Sequence, residues 1–113
     1  MVLDTKRSLK IKIDALKRLE KDYMLYKKEE QLQIENVERF KADETKDIYD
    51  VKKQIEILDE NKTMIIDSVS RVTAFLVQFS EFLEEHKNED DGSEIWKDSY
   101  DIIDQISTKF LGE

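Results

Sequence analysis

The chain has no cysteine and no proline, two glycines (Gly92 and Gly112) and one histidine (His86) in 113 residues. Without cysteine there is no disulfide framework and no thiolate metal site, a usage compatible with the cytosol without proving it. Without proline, and nearly without glycine, few positions interrupt a helix, whereas β-proteins need turn residues at short intervals. Long apolar runs are missing too. No segment approaches the ~18 apolar residues of a membrane span, and the amino-terminal MVLDTKRSLKIK has no apolar core of signal-peptide length. A soluble protein without a membrane partner is expected. Catalytic signatures are absent in the same way: there is no glycine-rich phosphate loop and no spacing that suggests a Ser-His-Asp arrangement. An enzyme is therefore not expected.

What is abundant is charge. Asp, Glu, Lys and Arg make up 41% of the chain and apolar residues 39%, with a net charge of −8; charged residues are roughly one quarter of a typical domain. The length suits one domain, 1–113. Net acidity argues against a nucleic-acid partner, because phosphate binding needs basic surface. The charge is uneven: residues 1–28 hold nine Lys/Arg against four Asp/Glu, and the remainder ten against twenty-three. Such asymmetry either steers an acidic partner to one end or reflects two solvated faces.

Periodicity decides between packed helices and a disordered polyampholyte. In residues 51–83, alternating steps of four and three give Val51, Ile55, Leu58, Lys62, Ile65, Val69, Val72, Leu76, Phe79 and Leu83, of which only Lys62 is not apolar. That is a seam for packing at shallow angles, and its period excludes a strand. It predicts a second helix over about 47–87 with Asp47 as N-cap. Phe75 and Phe82 widen the stripe in its later half, as packing against two partners requires.

A first helix over about 5–41 places Leu9, Leu16, Leu19, Tyr23, Tyr26, Ile34, Val37 and Phe40 on one side. Lys10, Lys17, Lys21 and Lys28 lie within about 20° of one line on the other. The polar stretch 42–47 suits a helical-hairpin turn. After HKNEDDGS, Ser93 is a natural N-cap for a third helix over about 93–111, built on Trp96, Ser99, Ile103, Ile106 and Phe110 with Ile95 and Ile102 beside them, and stopping before Gly112. The fold class is therefore all-α: an antiparallel up-down-up, coiled-coil-like three-helix bundle with a shorter third helix. Residue i of helix 1 should face about residue 90−i of helix 2. Helix 3 should cover only residues near 70–87, leaving 21–41 with 48–68 as a two-helix arm. Glu30 and Lys62 then fall at one height, and a polar layer there, near Gln33, would fix register; the simpler alternative is that both side chains reach solvent separately.

The chemical motifs are weak. KNEDDGSEIWKD mimics a calcium loop around Gly92, but Lys87 would occupy the first ligand position, which a lysine cannot fill. His86 sits at an acidic helix end, where a protonated ring favours the helix dipole. Carboxylate pairs such as Glu84/Glu85 and Asp90/Asp91 lie on solvated helix, where nothing raises one pKa for acid–base work. Tyr23, Tyr26 and Tyr49 could anchor a partner, although their helical spacing equally suits packing.

Two stretches say more. Leu9-Lys10-Ile11-Lys12, followed by Leu16-Lys17-Arg18-Leu19, resembles the IKIK and KRL elements of the tubulin-binding cofactor A family. YDVKKQIEILDE, Tyr49 to Glu60, resembles the family's YD[IL]KKQ segment, and Met64-Ile65 with Asp67 is similar to its following M-I-P-D element. The resemblance covers roughly residues 8–85. Ile66 departs from it, standing where many members have proline, and the linker 87–92 and helix 3 match poorly.

The resemblance implies a cytoplasmic, microtubule-associated tubulin-folding chaperone that captures and releases a quasi-native β-tubulin intermediate through helical surfaces. Its partners would be that intermediate and other tubulin cofactors; it would need no nucleotide or metal, and exist as monomer or homodimer. It carries over Lys10, Lys12, Lys17, Arg18 and Tyr26 on helix 1, and Tyr49, Asp50, Lys52, Lys53, Gln54 and Glu56 on helix 2. With Lys21 of the basic line, the candidate partner-binding set is Lys10, Lys17, Arg18, Lys21, Tyr49, Lys52, Lys53 and Glu56. Lys53 points about 140° from the seam, so packing does not require it. The competing reading is a structural, spectrin-like coiled-coil module of a larger assembly.

Overall fold

The computed structural model describes residues 2–111. The described chain is all-α: α1 (Val2–Ala42), α2 (Ile48–Glu85), one 3-10 turn (Lys87–Glu89) and α3 (Glu94–Phe110). The helices run up, down and up, the third much the shortest. α1 starts earlier than its spacing indicates and α2 stops two residues sooner. Gly112, expected to follow α3, lies outside the described residues.

The connections are built by short acidic side chains. Asp43 Oδ1 accepts from the Thr45 amide at 2.8 Å and the Thr45 hydroxyl at 2.6 Å. The Thr45 hydroxyl bond, ahead of the amide bond, holds the Asp43 carboxyl below its ordinary value. The Asp50 amide then donates to Asp47 Oδ1 at 2.9 Å, and the Asp47 amide donates to Asp50 Oδ2 at 3.1 Å. This reciprocal capping box satisfies two otherwise orphaned amides and fixes where α2 begins.

Before α3, Asp90 and Asp91 accept from the amides of Gly92 and Ser93 at 2.9 and 3.0 Å. Gly92 takes φ +74°, a left-handed conformation that glycine adopts without penalty. Ser93 occupies the N-cap in extended backbone, as expected, but its side chain makes no capping bond, and its hydroxyl oxygen is buried.

The chain packs as two compact units, Met1–Lys21 with Val69–Glu113, and Asp22–Ser68. The first holds the apolar core. Leu9, Ile13 and Leu16 of α1, Val72, Leu76, Phe79 and Leu83 of α2, and Trp96, Ile102 and Ile106 of α3 form one buried cluster, with Phe75 and Phe82 packed against it. Polar contacts join α1 to the segment before α3 and to α3 itself: Lys6 reaches Asp91 at 2.7 Å and Lys109 reaches Glu20 at 3.0 Å. Thr5 also donates to Glu89 at 2.7 Å. Lys12 sits over the Phe82 ring at 4.6 Å, and His86 stacks on the same residue at 4.2 Å. His86 Nδ1 donates to the Phe82 carbonyl at 2.9 Å, just past the end of α2.

The second unit pairs the later part of α1 with the earlier part of α2 and has little apolar burial. Its buried residues are Gln33, Val37 and Ser68. The polar layer exists, but not as expected. Glu30 pairs with Lys27 of its own helix at 3.4 Å, and Lys62 is exposed with no ion pair among the described residues. Instead Gln33 Nε2 donates to the backbone oxygen and the side-chain oxygen of Gln54, both at 2.9 Å. Gln33 thus faces Gln54 rather than residue 57, a slip of three positions.

The seam is also turned slightly around α2. From Val51 the covered positions of α2 are Gln54, Leu58, Asn61, Ile65 and Ser68, whereas Ile55 and Lys62, both expected in the seam, are exposed. On α1, Ile34 is likewise exposed instead of packed. The pattern failed here because three of the residues facing inward are polar and carry no hydropathy signal.

Candidate functional site

The eight candidate binding residues fall into two groups, one in each unit. Lys10, Lys17, Arg18 and Lys21 are exposed on α1 in the first unit. Lys10 and Lys17 line a shallow groove with Ile13, facing Ile95, Asp98 and Asp101 of α3. Lys10 also pairs with Asp14 at 3.3 Å. Part of the basic line is therefore answered by carboxylates of its own chain, and Arg18 and Lys21 remain without an ion pair among the described residues.

The second group is more concentrated. Tyr49, Lys52, Lys53 and Glu56, together with Asp50, line one surface depression on the first turns of α2. Tyr49 is 75% exposed, so its ring serves no core. Asp50 is occupied by the capping box, which anchors the rim of the depression. Among the described residues, neither Lys52 nor Lys53 has an ion-pair partner. The arrangement offers one aromatic ring, two unpaired ammonium groups and a carboxylate within two helical turns, a set suited to binding a polar surface and not to bond chemistry.

Exposed isoleucines beside this depression were not among the candidates. In an antiparallel pair, the residues that follow two facing positions turn to the same side. Ile34 and Ile55 follow Gln33 and Gln54, so both emerge on one side of the second unit. At 100° per residue, Ile48, Lys52, Asp59, Lys62 and Ile66 all project within about 60° of Ile55 along α2. Ile48 is 77% and Ile66 71% exposed. The signal was present in the sequence as the same seven-residue period, displaced one step around the helix. The opposite side carries Leu25 and Leu32 of α1 with Lys53, Ile57 and Met64 of α2, all exposed as well.

The chain as a whole is similar to known proteins. The family model described as tubulin binding cofactor A matches residues 4–103. A human protein named tubulin-specific chaperone A is 35% identical over 100 residues, 88% of this chain and 91% of its own length. The protein of that name from Saccharomyces cerevisiae is 35% identical over 86 residues, 76% of this chain and 81% of its own. Among solved structures, tubulin folding cofactor A from Arabidopsis thaliana superposes with a TM-score of 0.82 at 27% identity, over 94% of this chain and 98% of that one. Human tubulin chaperone cofactor A superposes with a TM-score of 0.73 at 34% identity, over 91% and 98%.

Proposed function

The chain belongs to the tubulin binding cofactor A family, and on that footing we propose that it is a tubulin-folding chaperone which captures and releases a quasi-native β-tubulin intermediate through its helical surfaces. The observation that carries the reading is the family match over residues 4–103, a span that takes in every candidate binding residue. The exposed chemistry supports it. A client with unfinished surface needs a partner whose own apolar and charged side chains are left uncommitted, and α2 presents Tyr49, Lys52, Lys53 and Glu56 in that state. The work is binding and release in the cytoplasm, near microtubules, with no bond made or broken.

β-Tubulin released from the cytosolic chaperonin, labelled and run with the purified chain on native gels at low ionic strength, tests the reading. A co-migrating band that weakens with salt is expected. Lys53→Glu should weaken it severalfold while the circular dichroism spectrum stays unchanged, and Lys17→Glu should act less strongly because Asp98 and Asp101 already face that lysine's groove. If the wild-type chain gives no band at any salt, the chaperone reading falls.

A further inference from the structure

The isoleucine row is a helix surface that folding leaves open. We propose that the groove between Ile34 of α1 and Ile48, Ile55 and Ile66 of α2 seats one amphipathic helix of the client, whose apolar edge is flanked by carboxylates that meet Lys52 and Lys62. The proposal rests on the chaperone reading and names the element of the client that is held.

Periodicity gives the occupant its shape. Ile48, Ile55 and Lys62 repeat every seven residues, and so do Lys52, Asp59 and Ile66, the spacing by which one helix meets another along its length. The apolar members are 77%, 37% and 71% exposed, and Ile34 across the groove is 36% exposed. Isolated exposed isoleucines need no explanation; three on one side of α2 at helical spacing, with Ile34 of α1 on the same side, form a face without its partner.

Charge gives the occupant its sign. Lys52 and Lys62 are exposed and have no ion pair among the described residues. The other cations on this side, Lys27 and Lys41, are paired with Glu30 at 3.4 Å and Glu38 at 3.9 Å. Asp59 is the acid lying between the two unpaired lysines. A helix with carboxylates opposite Lys52 and Lys62, and a neutral or basic residue opposite Asp59, is complementary.

Charge also argues against a second copy of this chain. Two α2 rows packed antiparallel in full overlap would set Lys52 of each copy against Lys62 of the other and Ile55 against Asp59. Packed parallel, they would set each lysine against itself. Both two-fold arrangements place like charges together on the face that is to be buried.

The test uses two designed helical peptides of about five turns, identical in their apolar edge and carrying either Glu or Lys at the positions flanking it. With the full chain at low salt, fluorescence anisotropy should show the Glu peptide binding at least about tenfold tighter than the Lys peptide. The double variant Lys52→Glu/Lys62→Glu should reverse that order. Ile55→Ser/Ile66→Ser should abolish binding, and Leu32→Ser, on the opposite side, should leave it within about twofold. The Glu peptide should also displace labelled β-tubulin in the native-gel assay.

Equal binding of the two peptides, or no reversal by the charge swap, overturns the proposal. So does β-tubulin capture that the saturating peptide fails to displace, and that result leaves the chaperone reading standing. Loss of β-tubulin capture by the wild-type chain defeats the chaperone reading instead, while the peptide preference still reports on the groove. Sedimentation as a dimer that Ile55→Ser/Ile66→Ser converts to monomer assigns the groove to a second copy and overturns the proposal.

Discussion

One amide nitrogen, Gln33 Nε2, lies 2.9 Å from both the backbone oxygen and the side-chain oxygen of Gln54, joining α1 and α2 where neither helix offers much apolar surface. The link continues along α1: Asn36 donates to Gln33 Oε1 at 3.2 Å, and Arg39 donates to Asn36 Oδ1 at 2.5 Å. A chain of hydrogen bonds that begins on a buried amide specifies one register, because sliding either helix leaves Gln33 without partners. Gln33→Ala should therefore lower stability by about 1–3 kcal/mol in urea denaturation. Gln33→Leu, which removes the polar group and keeps the volume, should cost less than about 1 kcal/mol while loosening the pairing. Equal losses for the two variants would show that the lost hydrogen bonds, and not the side-chain volume, set the cost of this layer.

How far this was legible in the sequence depends on the half of α2 considered. Val72, Leu76, Phe79 and Leu83, reached by steps of three and four, are all 0–3% exposed. There a seam of large apolar residues meets two helices, and hydropathy alone locates it. Before Val69 the same count runs onto Ile55 and Lys62, which face solvent, while Gln54, Asn61 and Ser68 turn inward. Polar seam residues are invisible to hydropathy, and the isoleucine row beside them repeats with the same period. The candidate binding residues Tyr49, Lys52, Lys53 and Glu56 were chosen by residue identity, and the structure brings them to one depression. Ile48 and Ile66 were not chosen, because the pattern could not separate exposed apolar positions from core ones.

Trp96 is 1% exposed, and its indole nitrogen makes no hydrogen bond among the described residues. A buried donor without a partner carries a desolvation penalty, so part of what the ring contributes by packing is offset. Trp96→Phe, which deletes that N–H and keeps most of the aromatic contact, should lose no more than about 1 kcal/mol. Trp96→Ala should lose about 3–5 kcal/mol. Because the chain has a single tryptophan, its fluorescence should be blue-shifted when folded and move to the red in one step on unfolding. A Phe variant as damaged as the Ala variant would mean that the indole nitrogen does have a partner in solution.

Asp91 should make the first unit sensitive to acid. The Lys6 ammonium at 2.7 Å, and after it Ser93, hold the Asp91 carboxyl well below the usual carboxylate range. A group whose pKa is depressed by folding stabilises the fold above its unfolded value, and that contribution is lost as pH falls toward the folded one. Wild-type stability should therefore decline below about pH 4, and Asp91→Asn should show a shallower decline over the same range. The difference should shrink in high salt, since both partners are partly exposed. Parallel pH profiles for the two proteins would remove Asp91 from the acid response.

The two units should also differ in how readily they open. Local stability follows buried apolar contact, and the unit holding α3 has a cluster of ten buried apolar residues, whereas Val37 is the buried apolar residue of Asp22–Ser68. Native-state hydrogen exchange should find the central amides of Asp22–Ser68 at least about tenfold less protected than those around Leu76 and Ile102. Leu76→Ala should cost about 2–5 kcal/mol globally. Val37→Ala, with fewer neighbours to lose, should cost about 1 kcal/mol and increase exchange mainly within its own unit. Uniform protection along α1 and α2 would mean that the Gln33–Gln54 layer couples the weakly packed segment to the core as firmly as apolar burial does. The surface proposed to hold the client would then be rigid before binding, and peptide association should show little ordering of the chain.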